Sequence, residues 1–186
     1  MKRLFDTIFG ILCLTISLPL MIIVSIAIKV DSKGPIFFKS LRVGQHGKIF
    51  KMIKFRTMVE GTKLQETKKI KNLNKKITKI GHYLRRSSLD EIPQLFNVLL
   101  GQMSIVGPRP AIKSQKNLIK KRLKFKIYQI KPGITGLAQI NGRDSISENK
   151  KLYYDYLYYK EYGIFLDIKI IFKTVFLVIS NKNISH

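Results

Sequence analysis

The chain has 186 residues, of which 35 are Lys or Arg and 11 are Asp or Glu, for a formal net charge of +24. One cysteine, Cys13, excludes an intramolecular disulfide, and three scattered histidines without a Cys/His cluster argue against a zinc site. The length supports one core, hence a single domain over 1–186, and the charge calls for a polyanionic partner: nucleic acid, anionic lipid or a phosphorylated substrate.

Residues 7–28 carry no charge, and the run is long enough for a hydrocarbon core, which takes about 20 residues. No small-x-small cleavage site follows before Lys29, so the run reads as a retained membrane segment and not a signal peptide. Pro19 predicts a kink, with Ser17 placed to help satisfy the freed carbonyls. Lys2 and Arg3 precede the run; Lys29, Lys33, Lys39 and Arg42 follow it. Basic flanks on both sides favour keeping both ends cytoplasmic, which predicts a re-entrant helix over 1–30 and a cytoplasmic region over 31–186. A straight span is the alternative.

Residues 36–43 and 48–58 alternate loosely around Gly44-Gln45-His46-Gly47 and predict a β-hairpin. Lys54 and Arg56 fall on one face of the second strand, with Ile53 and Phe55 on the other. Such a cationic face is either solvated or aimed at an anion. The lysine-rich stretch 60–80, with Lys68, Lys69, Lys71, Lys75, Lys76 and Lys79, reads as a charged surface helix or loop.

Acids are scarce here, so the adjacent Asp90 and Glu91 stand out. They lie in RRSSLDEIPQLFNVLLGQMSIVGPRP (85–110), ringed by Arg85, Arg86 and Arg109. One reading is a helix cap. Ser88 and Glu91 have capping-box spacing, but Pro93 would then clash with the carbonyl of Leu89; a helix starting at Asp90 places Pro93 in its first turn. Both versions put the carboxylates at a helix N-terminus. The other reading is phosphoryl chemistry, which needs a carboxylate to attack or hold a metal and cations to neutralise phosphate. On spacing alone the cap is the stronger reading.

Residues 113–131 are amphipathic, with Ile112, Leu118, Ile119, Leu123 and Ile127 among cations. This suits a helix on anionic lipid and a surface helix on a core equally. Rigid turns come at 107–110 (Gly-Pro-Arg-Pro), 132–136 and 141–143, holding Arg109 and Arg143 as preorganised guanidinium groups. Residues 152–162 carry six tyrosines, which suggests a membrane-interface belt or half-buried packing. Residues 165–179 are apolar, but Asp167, Lys169 and Lys173 make spanning costly, so a helix in the interface or on the core is expected.

Four stretches, in this order and spacing, resemble a known family: KFRTM (54–58), SLDEIPQLFNVLLGQMSIVGPRP (88–110), KPGITGLAQINGR (131–143) and LDIKI (166–170). The family is the small monotopic polyprenol-phosphate phosphoglycosyl transferases, the bacterial sugar transferase group, and the likeness covers nearly the whole chain. It raises the catalytic reading of Asp90 and Glu91 above the capping one. Some members carry Ser-Pro at the membrane bend; here Leu18 precedes Pro19.

The resemblance implies transfer of a sugar-1-phosphate from a UDP-sugar to polyprenyl (undecaprenyl) phosphate, with release of UMP, as a first membrane step in surface glycan synthesis. Asp90 would be the nucleophile of a covalent intermediate. Glu91 would assist, with Mg2+ held by Asp90 and Glu91. Lys54, Arg56, Arg85, Arg109 and Arg143 are the candidate cations for phosphate and nucleotide. The expected partners are the UDP-sugar, polyprenyl phosphate and anionic membrane lipid, with no nucleic acid. The expected place is the cytoplasmic face of a bacterial inner membrane.

The fold expected is α+β and mainly helical: a monotopic membrane protein with a re-entrant N-terminal helix, a small β-hairpin and amphipathic interfacial helices. The chain is expected to be the minimal form, without the extra transmembrane helices of larger members. The rival reading is a basic, non-catalytic membrane- or nucleic-acid-binding protein. It explains the charge but not the acid pair or the rigid Arg turns.

Overall fold

The computed structural model describes residues 1–62, 73–142 and 145–180. Helix α1 (Lys2–Asp31) is continuous through Pro19 and is long and apolar enough to cross a membrane. Pro19 has no N–H to offer the Thr15 carbonyl. Ser17 does not replace that donor: its hydroxyl donates to the Leu14 carbonyl at 3.2 Å.

The outer side of α1 is apolar and open, with Leu4, Ile8, Ile16, Ile23 and Val30 all exposed. The other side packs against the body at both ends. Near the start, the Asp6 carboxylate accepts from the Ser104 hydroxyl (2.9 Å) and the Ile105 N–H (3.0 Å), and Arg3 donates to the carbonyls of Val98 and Leu99. Near the finish, Met21, Val24 and Ile28 share a core with Phe55 and Leu84.

The expected hairpin is present as β1 (Phe37–Val43) and β2 (Ile49–Phe55), antiparallel, pairing Phe37 with Phe55 and Val43 with Ile49. The connecting turn places His46 and Gly47 at positive φ. Three further strands were not foreseen. Strand β3 (Ser104–Val106) pairs in parallel with β5 (Gly133–Thr135), and β4 (Ala111–Ile112) adds to the edge of β1. The rigid turns are what bring β3 and β5 together. A Cβ on Gly133 would lie 2.0 Å from the Gly107 nitrogen, and one on Gly136 2.1 Å from the Gly107 carbonyl oxygen. No side chain fits where these backbones cross.

Of the stretch 60–80, the described residues form α2 (Leu73–Lys76) and α3 (Lys79–Arg86), the latter capped by the Thr78 hydroxyl accepting from Gly81 N–H. Lys68, Lys69 and Lys71 lie outside the described residues. Helix α4 (Gln94–Leu99) follows the acid pair.

Within 113–131, helix α5 (Lys116–Lys124) packs on the body, burying Leu118 and Arg122 and leaving Leu123 exposed. Beyond the short α6 (Leu137–Ile140) come α7 (Glu148–Glu161) and α8 (Ile164–Ile179). The tyrosines of α7 are mixed in exposure. Tyr158 is buried, its hydroxyl between the Asp167 carboxylate (2.6 Å) and the Val106 carbonyl (3.0 Å), whereas Tyr153 is exposed. Burial and that carboxylate push the Tyr158 phenol far above its ordinary pKa, so it stays protonated. Helix α8 buries Asp167 and Ile170 and leaves Phe165, Phe172 and Phe176 exposed, so it is both a core helix and an apolar surface. Lys2 pairs with Asp167, tying the first turns of α1 and α8 together.

Candidate active site

The acid pair is not in an α-helix. Ser88 adopts a left-handed conformation (φ 58°), and Leu89–Glu91 form a separate 3-10 turn. No side-chain cap from Ser88 forms, and Pro93 itself precedes the first residue of α4. The capping box is therefore absent, and so is the helix start at Asp90. The physical reason is Pro93: its missing N–H and ring bulk separate the turn from the helix. Both carboxylates are buried, with Asp90 6% and Glu91 7% exposed.

Three features hold the pair in place. Lys54, near the end of β2, reaches Glu91 Oε1 at 2.8 Å and Asp90 Oδ2 at 3.5 Å. Arg109, in the turn after β3, reaches the same Glu91 oxygen with both terminal nitrogens at 3.2 Å. Asn97, fully buried in α4, accepts from Ile53 N–H (2.9 Å) and donates to the Lys51 carbonyl (2.8 Å). It thus fixes the strand carrying Lys54 against the helix that follows the acids. Asn97 was missed by sequence reasoning; its one signal is an amide inside the apolar run LFNVLL.

The two carboxylates differ. Glu91 is engaged by two cations, whereas Asp90 Oδ1 is buried and has no hydrogen-bond partner among the described residues. A buried acceptor without a donor is costly, of order 1–3 kcal/mol, unless a ligand completes it. Asp90 thus keeps one buried oxygen without a donor among the described residues, while Glu91 is the carboxylate that the two cations engage.

Arg56 does not join them. It lies just beyond the end of β2, buried, and donates to the backbone carbonyls of Ser32 (2.8 Å) and Lys33 at the foot of α1. Lys54 and Arg56 were expected to face one anion together. Instead the chain leaves the strand at Phe55, and two carbonyls left over at the end of α1 claim the guanidinium. Arg85 is half-buried in the last turn of α3, shortly before the acid pair. Arg143 lies outside the described residues.

Next to the pair is a cavity of about 410 Å³, which Glu91 and Arg109 help to line. Its remaining wall is mostly apolar, from Phe9 and Cys13 of α1, Leu95 of α4, and Ile171, Val175 and Val178 of α8. Its lining thus joins Glu91 and Arg109 to apolar side chains of α1 and α8, two helices whose outer faces are apolar and exposed. Buried acids beyond this site serve the frame. Asp155 bonds Arg122 at 2.5 and 3.0 Å, and Arg122 in turn donates to the Arg109 carbonyl at 2.8 Å, bracing the turn that presents Arg109. Burial raises the Asp155 carboxyl pKa, and the Arg122 charge opposes that rise.

A buried, incompletely bonded carboxylate, two cations on its neighbour and an adjacent, mostly apolar cavity form an arrangement chemically suited to phosphoryl transfer. The comparison with known proteins agrees: the profile of the family described as bacterial sugar transferase matches residues 1–181, and the chain belongs to that family.

Among its relatives is a "UDP-glucose:undecaprenyl-phosphate glucose-1-phosphate transferase" of Klebsiella pneumoniae, 43% identical across 98% of this chain and 41% of that protein. An "Undecaprenyl-phosphate galactose phosphotransferase" of Salmonella typhimurium is 37% identical across 96% and 40%. An "Uncharacterized sugar transferase EpsL" of Bacillus subtilis is 42% identical across 100% of this chain and 91% of its own length. The chain thus spans about two fifths of the Klebsiella and Salmonella proteins.

Proposed function

We propose that this protein transfers a sugar-1-phosphate from a UDP-sugar to polyprenyl phosphate, as the names of its relatives say of them. The observation that carries the reading is the unpartnered, buried Asp90 oxygen next to Glu91, which Lys54 and Arg109 engage and which helps to line an apolar cavity. In the first step Asp90 attacks the phosphorus that bears the sugar. The bond from that phosphorus to the bridging oxygen breaks, and UMP leaves with the oxygen and its electron pair.

In the second step a phosphate oxygen of the lipid attacks the same phosphorus. The bond to Asp90 breaks, its carboxylate is restored, and polyprenyl-diphosphate-sugar is released. Lys54 and Arg109 stabilise charge on the phosphoryl oxygens, and Glu91 holds both cations where that charge develops.

Among the described residues no three His, Cys, Asp or Glu side chains group to cage a metal. Two adjacent carboxylates instead suit Mg2+, which binds through one or two carboxylates plus substrate phosphates. Asp90 and Glu91 would hold it, and when bound it supplies counter-charge to the phosphates.

The proposed setting is the cytoplasmic face of a bacterial inner membrane, with α1 re-entrant. Both ends of α1 pack on one body: Arg3 and Asp6 at its start, Met21, Val24 and Ile28 toward its finish. A helix crossing the bilayer would separate those ends by its full thickness.

Labelled UDP-glucose and UDP-galactose, added without polyprenyl phosphate, test the covalent step. Label should remain on the protein, release UMP, and be absent in Asp90→Asn. An unlabelled enzyme whose kinetics require both substrates together would refute it.

A further inference from the structure

The cavity wall holds a polar side chain that neither the proposed reaction nor the hydrogen bonding of the described residues uses. Gln139, in α6, lines the cavity, and both its amide atoms are buried without a hydrogen-bond partner among the described residues. The other polar groups of the wall are engaged. Glu91 and Arg109 bond each other, Thr135 and Thr174 share a 2.7 Å hydrogen bond, and the Ser87 hydroxyl donates to the Tyr83 carbonyl at 2.8 Å.

The amide is held beside Gly136: a Cβ there would come 2.9 Å from Gln139 Oε1. An amide with neither donor nor acceptor satisfied, in an apolar wall, destabilises the fold. An apolar residue of similar size would pack there without that penalty. Such a group makes sense where an incoming ligand completes its bonds.

The position selects the ligand. The cavity is lined by α1 and α8, helices with exposed apolar surfaces, as well as by Glu91 and Arg109. A molecule that matches this lining has an apolar chain and a polar head near the cations. We infer that Gln139 binds the phosphate head of the polyprenyl phosphate acceptor, its NH2 donating to a phosphate oxygen. The inference rests on the proposed transferase reading and adds to it the residue that recognises the second substrate. A UDP-sugar lacks the long apolar chain that this wall would bury.

The test uses the full chain in lipid nanodiscs, with undecaprenyl phosphate and a turned-over UDP-sugar varied separately. The variants are Gln139→Leu, Gln139→Met and Gln139→Glu. Loss of one hydrogen bond to a charged phosphate should raise the KM for undecaprenyl phosphate about tenfold or more in Gln139→Leu and Gln139→Met. The KM for the UDP-sugar should stay within about twofold. Both apolar variants should melt no lower than the parent, since an unsatisfied amide has been removed; a purely structural role for Gln139 would lower Tm instead.

Gln139→Glu should lose still more acceptor affinity, because its carboxylate repels phosphate. An increase in the UDP-sugar KM would assign the amide to the donor and overturn the inference. An unchanged acceptor KM in all folded variants would overturn it as well. A parent protein that releases no UMP from any UDP-sugar would instead sink the transferase reading, and the inference with it.

Discussion

Asp90 and Glu91 are neighbours in sequence with unequal roles. Asp90→Asn should lower UMP release by about 10³-fold or more, since an amide cannot act as the nucleophile. Membrane association should persist, because α1 and α8 carry the apolar surface. Arg109→Ala should lower kcat/KM roughly tenfold or more, the loss of a charge-assisted contact of about 1.5–3 kcal/mol. The same is expected of Arg143→Ala, on the strength of the NGR motif. Kinetics like the parent's would reduce either residue to turn chemistry. Arg56→Ala should behave differently. Its guanidinium braces the carbonyls of Ser32 and Lys33, so the substitution should lower Tm while the KM for UDP-sugar holds. A kinetic loss at unchanged Tm would place Arg56 on substrate.

Among the elements, α1 is held at both ends, and this makes its membrane geometry testable. Cysteines at positions 2 and 33, in a Cys13→Ala background, should both resist a membrane-impermeant thiol reagent in intact spheroplasts and both react once the membrane is opened. Labelling of position 2 from outside, with position 33 protected, would mean that the helix spans. Pro19→Ala should favour that outcome, because it restores the hydrogen bond to Thr15 and a straighter helix.

Between α5 and α7, the buried Arg122–Asp155 pair predicts non-additive stability. Asp155→Ala leaves a buried guanidinium unpaired and should cost about 3–5 kcal/mol, measured by denaturant unfolding of the detergent-solubilised protein. Replacing the two together by Met and Leu should cost much less. Equal losses would mean that the pair is not coupled.

For the whole molecule, the fold brings apolar residues of α1 and α8 into the lining of one cavity with Glu91 and Arg109. If two carboxylates meet a diphosphate here through Mg2+, excess EDTA should abolish turnover and added Mg2+ restore it. Full activity in EDTA would leave Lys54 and Arg109 to carry the neutralisation alone.

What the sequence determined by itself is local. The uncharged run with its proline, the hairpin around Gly44–Gly47, and the scarcity of acids around Asp90 and Glu91 all show in composition, in the period-2 pattern or in one short motif. Lys54 was legible as a cation on a strand, and Arg109 as one held in a proline turn. Tertiary structure decided which cations reach the acids, because that depends on where a strand stops and which unpaired groups lie nearby. Lys54 lies within β2 and points at Glu91; Arg56, two residues on, lies past its end and is taken by the foot of α1.

Tertiary structure also decided the turn at Ser88, which takes a left-handed conformation where two capping readings had left the chain's path open. It decided the buried partners too. Asp6 meets Ser104, Asn97 meets Ile53, and Lys2 meets Asp167 across separations that no local periodicity encodes. The cavity is the same kind of property: a space bounded by residues from Phe9 to Val178, which exists only once α1 and α8 lie side by side.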